Sequence, residues 1–129
     1  MNIGTASSKE TLLTYLSETL NGCLTLAETV QNNRKSDFHI IQVGIAELFS
    51  LYQSTKLYYF LNEQGEKDTT VLDFFTNFEE FYSGLKHYFL YDTNIFKRDF
   101  SAVEERKLVL MRNYEVITAK IQQNSEMSR

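Results

Sequence analysis

The stretch from Val71 to Tyr91 most constrains the fold, because its apolar residues recur at alternating steps of four and three. That spacing aligns them on one face of an α-helix, where 3.6 residues make a turn. The line consists of Val71, Phe75, Phe78, Tyr82, Leu85 and Phe89, and Phe74, Phe81 and Tyr88 lie beside it. A helix with so many large rings is predicted to lie near the centre of a bundle or to present part of this face to a partner.

Three other segments show the same helical spacing, and short polar stretches separate them. Proline is absent and only five glycines occur, which favours long uninterrupted helices. The predicted helices run from about Ser8 to Asn32, Asp37 to Asn62, Val71 to Tyr91 and Ala102 to Gln123. The sequence therefore predicts an all-α fold, an antiparallel up-and-down four-helix bundle. We expect the bundle to be a single domain over residues 1–129, with a flexible lead at 1–6 and a frayed tail at 124–129.

Local signals refine the predicted helices. Ser7 with Glu10 matches a capping box at the start of the first helix, and Ser101 with Glu104 matches one at the start of the fourth. Ser36 or Asp37 is expected to cap the second helix. Gly22 lowers helix propensity, so we expect close helix packing as its purpose.

The last two turns of the second predicted helix are apolar on nearly every side. The residues that break its single line are Leu51, Leu57, Tyr58, Phe60 and Leu61. A helix end of this kind is either enclosed by other helices or meets a partner.

Composition and charge exclude several classes of function. The 129 residues are 43% apolar and 23% charged, with a net charge of −4, which argues against non-specific nucleic-acid binding. The segment from Ser36 to Tyr91 is the acidic part, with eight acidic residues against three lysines. No apolar run of membrane-spanning length occurs, and MNIGTASSKE does not resemble a signal peptide. Cys23 is the single cysteine, which fits a reducing compartment, so a cytoplasmic location is expected.

The sequence offers little for catalysis or metal binding. Arg34 and His39 form R-x-x-x-x-H, which resembles the active motif of HEPN ribonucleases; in that family the motif belongs near the last helices. A surface pair in a turn is the competing interpretation. Two histidines and one cysteine cannot complete a zinc site, and neither His39 nor His87 follows a glutamate by three residues, as di-metal bundles require. We therefore expect a protein that is not an enzyme and that uses no cofactor or metal.

The excess of apolar and aromatic residues is the most informative feature for function. One interpretation is a well-filled aromatic core, and the other is a groove that receives an amphipathic helix or an extended segment. Glu79 and Glu80 are expected on the solvated side of the aromatic helix, where they would meet a basic partner. The predicted partner-binding residues are Tyr52, Tyr58, Tyr59, Phe74, Phe81, Tyr82, Tyr88, Glu79 and Glu80.

The first predicted helix carries a resemblance to a known family. Thr5-Ala6-Ser7-Ser8-Lys9-Glu10 and Asn21-Gly22-Cys23-Leu24 are similar in part to two elements of the flagellar export chaperones that hold flagellin in the cytoplasm. Ser8 stands where that family usually has proline, and the Asn-Gly pair comes about one turn late. The resemblance implies binding of a flagellin C-terminal segment around the helix faces.

Several functions stay open on the sequence alone. The first is a non-enzymatic, chaperone-like protein that binds an apolar or amphipathic segment of a partner protein. The alternative is an acidic inhibitor or immunity protein of a toxin or mobile-element system, which would mask a basic surface. A HEPN-type ribonuclease is a third, and a homodimer formed through an unpaired aromatic face is also compatible with the pattern.

Overall fold

The computed structural model describes residues 3–32, 38–62, 69–91 and 100–127. These residues form four helices: α1 (Ile3–Gln31), α2 (Phe38–Asn62), α3 (Thr69–Tyr91) and α4 (Ser101–Met127). Their packing confirms the predicted all-α four-helix bundle.

Two helix ends differ from the prediction. The first helix begins at Ile3, so residues 3–6 are helical and Ser7 lies inside α1 instead of capping it. Nothing in this segment blocks a helix, because it contains no proline. The fourth helix continues to Met127, past the predicted end at Gln123. At its start, the amide of Glu104 donates to the carbonyl of Phe100 at 3.0 Å. The predicted caps Ser36 and Asp37 lie outside the described residues.

Helices α1 and α2 run antiparallel and pack closely at two glycines. A Cβ atom added at Gly22 of α1 would lie 3.0 Å from Cδ1 of Leu48, and one added at Gly44 of α2 would lie 2.9 Å from Cδ1 of Leu26. A larger residue at either position would have to displace a leucine. The predicted role of Gly22 in close packing is confirmed.

A buried polar pair also joins α1 to α2. The Oγ1 atoms of Thr19 and Thr55 lie 2.9 Å apart, and both residues are fully buried. One of the two hydroxyls donates to the other, and the accepting hydroxyl donates to a main-chain carbonyl oxygen. That oxygen belongs to Tyr15, 2.8 Å from Thr19, or to Leu51, 2.9 Å from Thr55. Each hydroxyl therefore keeps a partner inside the apolar core, as a buried polar group requires.

Helices α3 and α4 are joined partly by polar side chains. The amide nitrogen of Asn77 donates to the side-chain oxygen of Asn113 at 2.8 Å, and Asn113 in turn donates to the carbonyl of Thr70 at 3.0 Å. Arg106 of α4 forms an ion pair with Glu80 of α3. These pairs show that α4 runs antiparallel to α3.

Helices α2 and α3 meet through aromatic rings. The rings of Tyr52 and Phe78 stack with centroids 4.0 Å apart and planes inclined by 12°. The hydroxyl of Tyr52 donates to the carbonyl of Phe75 at 3.4 Å, and that of Tyr82 donates to the carbonyl of Ile45 at 3.3 Å. Large side chains thus fill the space between these two helices, whereas glycines allow α1 and α2 to approach closely.

Candidate partner-binding surface

The structure corrects most of the predicted aromatic contact residues. Five of the seven rings are buried in the core and have almost no surface to offer a partner: Tyr52, Tyr59, Phe74, Phe81 and Tyr88. Tyr52 and Tyr59 pack against Phe75 and Phe78 between α2 and α3, and Tyr88 packs against Phe100 just before α4. Burial, with a further contribution from the Glu79 carboxylate, raises the pKa of the Tyr52 hydroxyl well above its ordinary value.

The other two predicted rings are half-buried and already have partners in the monomer. Tyr58 packs on Tyr15 of α1 with centroids 5.1 Å apart. The ammonium group of Lys86 lies 5.3 Å from the centroid of Tyr82, and burial raises the pKa of the Tyr82 hydroxyl. A partner would have to displace these contacts to reach either ring.

Glu79 and Glu80 are exposed, as predicted, and line a groove between α3 and α4. This groove has a volume of about 730 Å³, and Ser83, Gly84 and Arg106 also line it. Because Arg106 pairs with Glu80, part of the acidic charge here is neutralised within the chain.

The exposed face of α2 was indicated by the sequence only at its end, through Leu57, Phe60 and Leu61. Of the ten large hydrophobic side chains that are exposed among the described residues, seven belong to α2. They are Phe38, Ile40, Val43, Phe49, Leu57, Phe60 and Leu61. Among the exposed residues of this helix, Glu47 is the only carboxylate and there is no Lys or Arg. Interface cores are depleted of charge in the same way.

The aliphatic residues of this face have fewer contacts within the chain than the aromatic residues do. Phe38 stacks on Phe89 at 5.1 Å between centroids, and Phe49 contacts Tyr82 at 5.2 Å, so these rings partly cover the seam between α2 and α3. In contrast, the exposed fractions of Ile40, Val43, Leu57 and Leu61 are 65%, 55%, 60% and 67%. The apolar surface left open to solvent is therefore mainly aliphatic, and the predicted aromatic surface is not the open one.

Two of these aliphatic residues border a groove between α1 and α2. The groove has a volume of about 600 Å³, and Gly22 and Gly44 are among the residues that line it. The residues that line it are Gly22, Thr25, Leu26, Thr29, His39, Ile40, Val43, Gly44, Glu47, Leu48 and Leu51. Its lining is almost entirely apolar, with Glu47 as the only acidic group.

The sequence contained one signal for this surface. Ile40, Val43, Leu57 and Leu61 fall off the buried line of α2, which consists of Ile41, Leu48, Tyr52, Thr55 and Tyr59. The last two turns of α2 are not enclosed on every side by the described part of the chain, since Leu57, Phe60 and Leu61 are exposed.

The described residues contain no arrangement with evident catalytic or metal chemistry. No group of three or more His, Cys, Asp or Glu side chains among them is placed to hold a metal ion. Cys23 is fully buried, and burial raises the pKa of its thiol far above the ordinary range, so the reactive thiolate is disfavoured. His39 is exposed on the first turn of α2, whereas Arg34 lies outside the described residues.

Comparison with known proteins adds no relative: no family model, no curated protein and no solved structure matches this chain. Within the described ranges, no helix combines the length and hydrophobicity needed to cross a membrane.

Proposed function

We propose that this protein is a non-enzymatic, chaperone-like binding protein that holds an apolar or amphipathic segment of another protein against α2. The observation that carries this proposal is the concentration of exposed aliphatic side chains on one helix, whose charged residues are only the exposed Glu47 and the half-buried Lys56. Exposed apolar surface that is contiguous and poor in charge is typical of a binding site. We place the protein in the cytoplasm, where its single cysteine stays reduced.

The resemblance of α1 to the flagellar export chaperones favours a particular version of this proposal, in which the bound segment comes from a secreted subunit such as flagellin. The competing proposal, an acidic inhibitor of a toxin or mobile-element system, depends on Glu79 and Glu80. It receives less support, because Arg106 of the same chain forms an ion pair with Glu80.

A matched pair of valines tests the proposal. Val43 on α2 and Val116 on α4 are 55% and 47% exposed, and both lie within helices. Val43→Glu and Val116→Glu therefore place the same charge at equivalent exposure on two different surfaces. A photo-crosslinking residue at each of the two positions, followed by mass spectrometry on cells of the source organism, identifies what contacts each surface.

We expect a protein crosslink at position 43 and none at position 116. In affinity capture with chains that carry no crosslinker, we also expect Val43→Glu to lower the recovered amount of the crosslinked protein at least tenfold more than Val116→Glu does, with thermal unfolding of both variants close to that of the wild type. Equal capture by the wild type and Val43→Glu would contradict the proposal.

A further inference from the structure

The charged groups along the groove between α1 and α2 are mainly acidic. No Lys or Arg is among the residues that line it, whereas Glu47 is. Among the described residues of these two helices, Lys9 and Lys56 are the only Lys or Arg, and the exposed carboxylates are those of Glu10, Glu18, Glu28 and Glu47. Like charges that face a low-dielectric surface attract ligands of the opposite sign.

Two of these carboxylates are placed to meet a ligand in the groove. Glu47 lines the groove directly. Glu18 precedes Gly22 by one helical turn and so lies on the same face of α1 as the groove. Neither carboxylate has an ion pair among the described residues, where the salt bridges are formed by Glu80 and Glu104.

The shape of the groove indicates a helical ligand. The wall on α2 presents Ile40, Val43 and Leu51, and the eleven helical steps from Ile40 to Leu51 span about 16 Å. A ligand helix of about three turns, with apolar residues at steps of three and four, fits this length. A second copy of the same surface does not fit, because a concave groove cannot fill another concave groove and because a second copy brings further carboxylates.

We infer that the groove between α1 and α2 binds a basic amphipathic helix, with its apolar residues over Gly22 and Gly44 and with Lys or Arg side chains facing Glu18 and Glu47. This inference rests on the proposed function and specifies the chemistry of the bound segment. Apolar contact supplies the affinity, and the two carboxylates select the charge of the ligand.

Two synthetic peptides test the inference directly. Both are 18-residue fluorescent helical peptides with leucines at heptad spacing, and they differ only in flanking positions that are all Lys in one and all Glu in the other. Fluorescence polarisation with the full-length protein gives their dissociation constants. We expect the Lys peptide to bind about tenfold more tightly at low salt, since two exposed charge pairs change from repulsive to attractive. The difference should shrink at 0.5 M salt.

Matched variants locate the effect. The double variant Glu18→Gln, Glu47→Gln should lose most of the preference for the Lys peptide. The control double variant Glu105→Gln, Glu115→Gln removes the same charge from exposed positions of α4. It should keep the preference for the Lys peptide. Equal binding of both peptides, or equal behaviour of the two double variants, would overturn the inference.

The outcomes separate this inference from the proposed function. If peptides of either charge bind and Val43→Glu blocks both, the binding surface on α2 stands and the selection for basic helices is wrong. If neither peptide binds while the crosslink at position 43 is still found, the inference fails and the proposed function survives. A wild-type dimer in sedimentation that Ile40→Glu dissociates would make a second copy the occupant and would also overturn the inference.

Discussion

Three helical glycines permit a direct measurement of how closely α1 and α2 pack. Replacement of glycine by alanine inside a helix adds about 1 kcal/mol of stability from backbone propensity alone. A Cβ atom at Gly84 of α3 would have no heavy atom within 4 Å, so Gly84→Ala should show this gain in full. For a chain of this size, the gain corresponds to a rise in Tm of about 4 °C.

Gly44→Ala gains the same stability from helix propensity but loses stability through a steric contact. Its added methyl group would lie 2.9 Å from Cδ1 of the buried Leu26, which must move. Overpacking of a filled core costs about 1–3 kcal/mol. The propensity contribution is common to both variants, so the difference in unfolding free energy between Gly84→Ala and Gly44→Ala isolates the packing cost. We expect Gly44→Ala to be the less stable by at least 1 kcal/mol, which is about 0.5 M in the urea midpoint.

Equilibrium urea unfolding followed by circular dichroism provides the measurement, with all three variants at one protein concentration. Gly22→Ala should fall between the other two, because its Cβ position is 3.0 Å from Leu48, at the margin of a tolerable contact. If Gly44→Ala is as stable as Gly84→Ala, then α1 and α2 are not in close contact, and the description of the groove over these glycines is wrong.

Three further predictions concern the core. Phe81→Ala should lower the free energy of unfolding by about 3–5 kcal/mol, because the ring is fully buried, whereas Ile40→Ala at 65% exposure should change it by about 0.5 kcal/mol or less; similar urea midpoints would contradict this assignment of core and surface. Thr19→Val and Thr55→Val should each cost about 1 kcal/mol, and the double variant about the same as one alone, because either change breaks the one shared hydrogen bond; strictly additive losses would show that the hydroxyls do not interact. Burial raises the pKa of the Cys23 thiol, so its contribution to stability is complete below the ordinary pKa of about 8.5 and is lost as the pH rises above that value. The unfolding free energy should therefore fall between pH 8.5 and 10 more steeply in the wild type than in Cys23→Ala, and parallel pH profiles would refute this.

Periodicity in the sequence was sufficient to predict the helices and which residues share a face. The predicted line through Phe78 and Leu85 is indeed buried, and the polar stretches fall between helices. Helix ends were less well predicted, because the S-x-x-E pattern at Ser7 also occurs inside a helix that begins at Ile3.

The location of the open surface could not be predicted in the same way. Spacing along one helix does not reveal how far that helix lies from its neighbour, and this distance decides whether a ring such as Phe81 is covered. The stack of Tyr52 on Phe78 fills the space between α2 and α3, and Tyr88 is covered by Phe100 just before α4. The apolar side chains that stay exposed include Ile40 and Val43, which lie off the buried line of α2.

The contrast between glycine contacts on one side of α2 and stacked rings on the other has a mechanical consequence. The rings between α2 and α3 reach across the gap on side-chain torsions that can rotate, whereas the glycines bring the main chains of α1 and α2 within contact distance of leucine methyl groups. Helix α2 therefore has a stiff edge along α1 and a compliant edge along α3. A force that pulls α2 outward should separate it from α3 first, and the helix would swing about α1 as on a hinge.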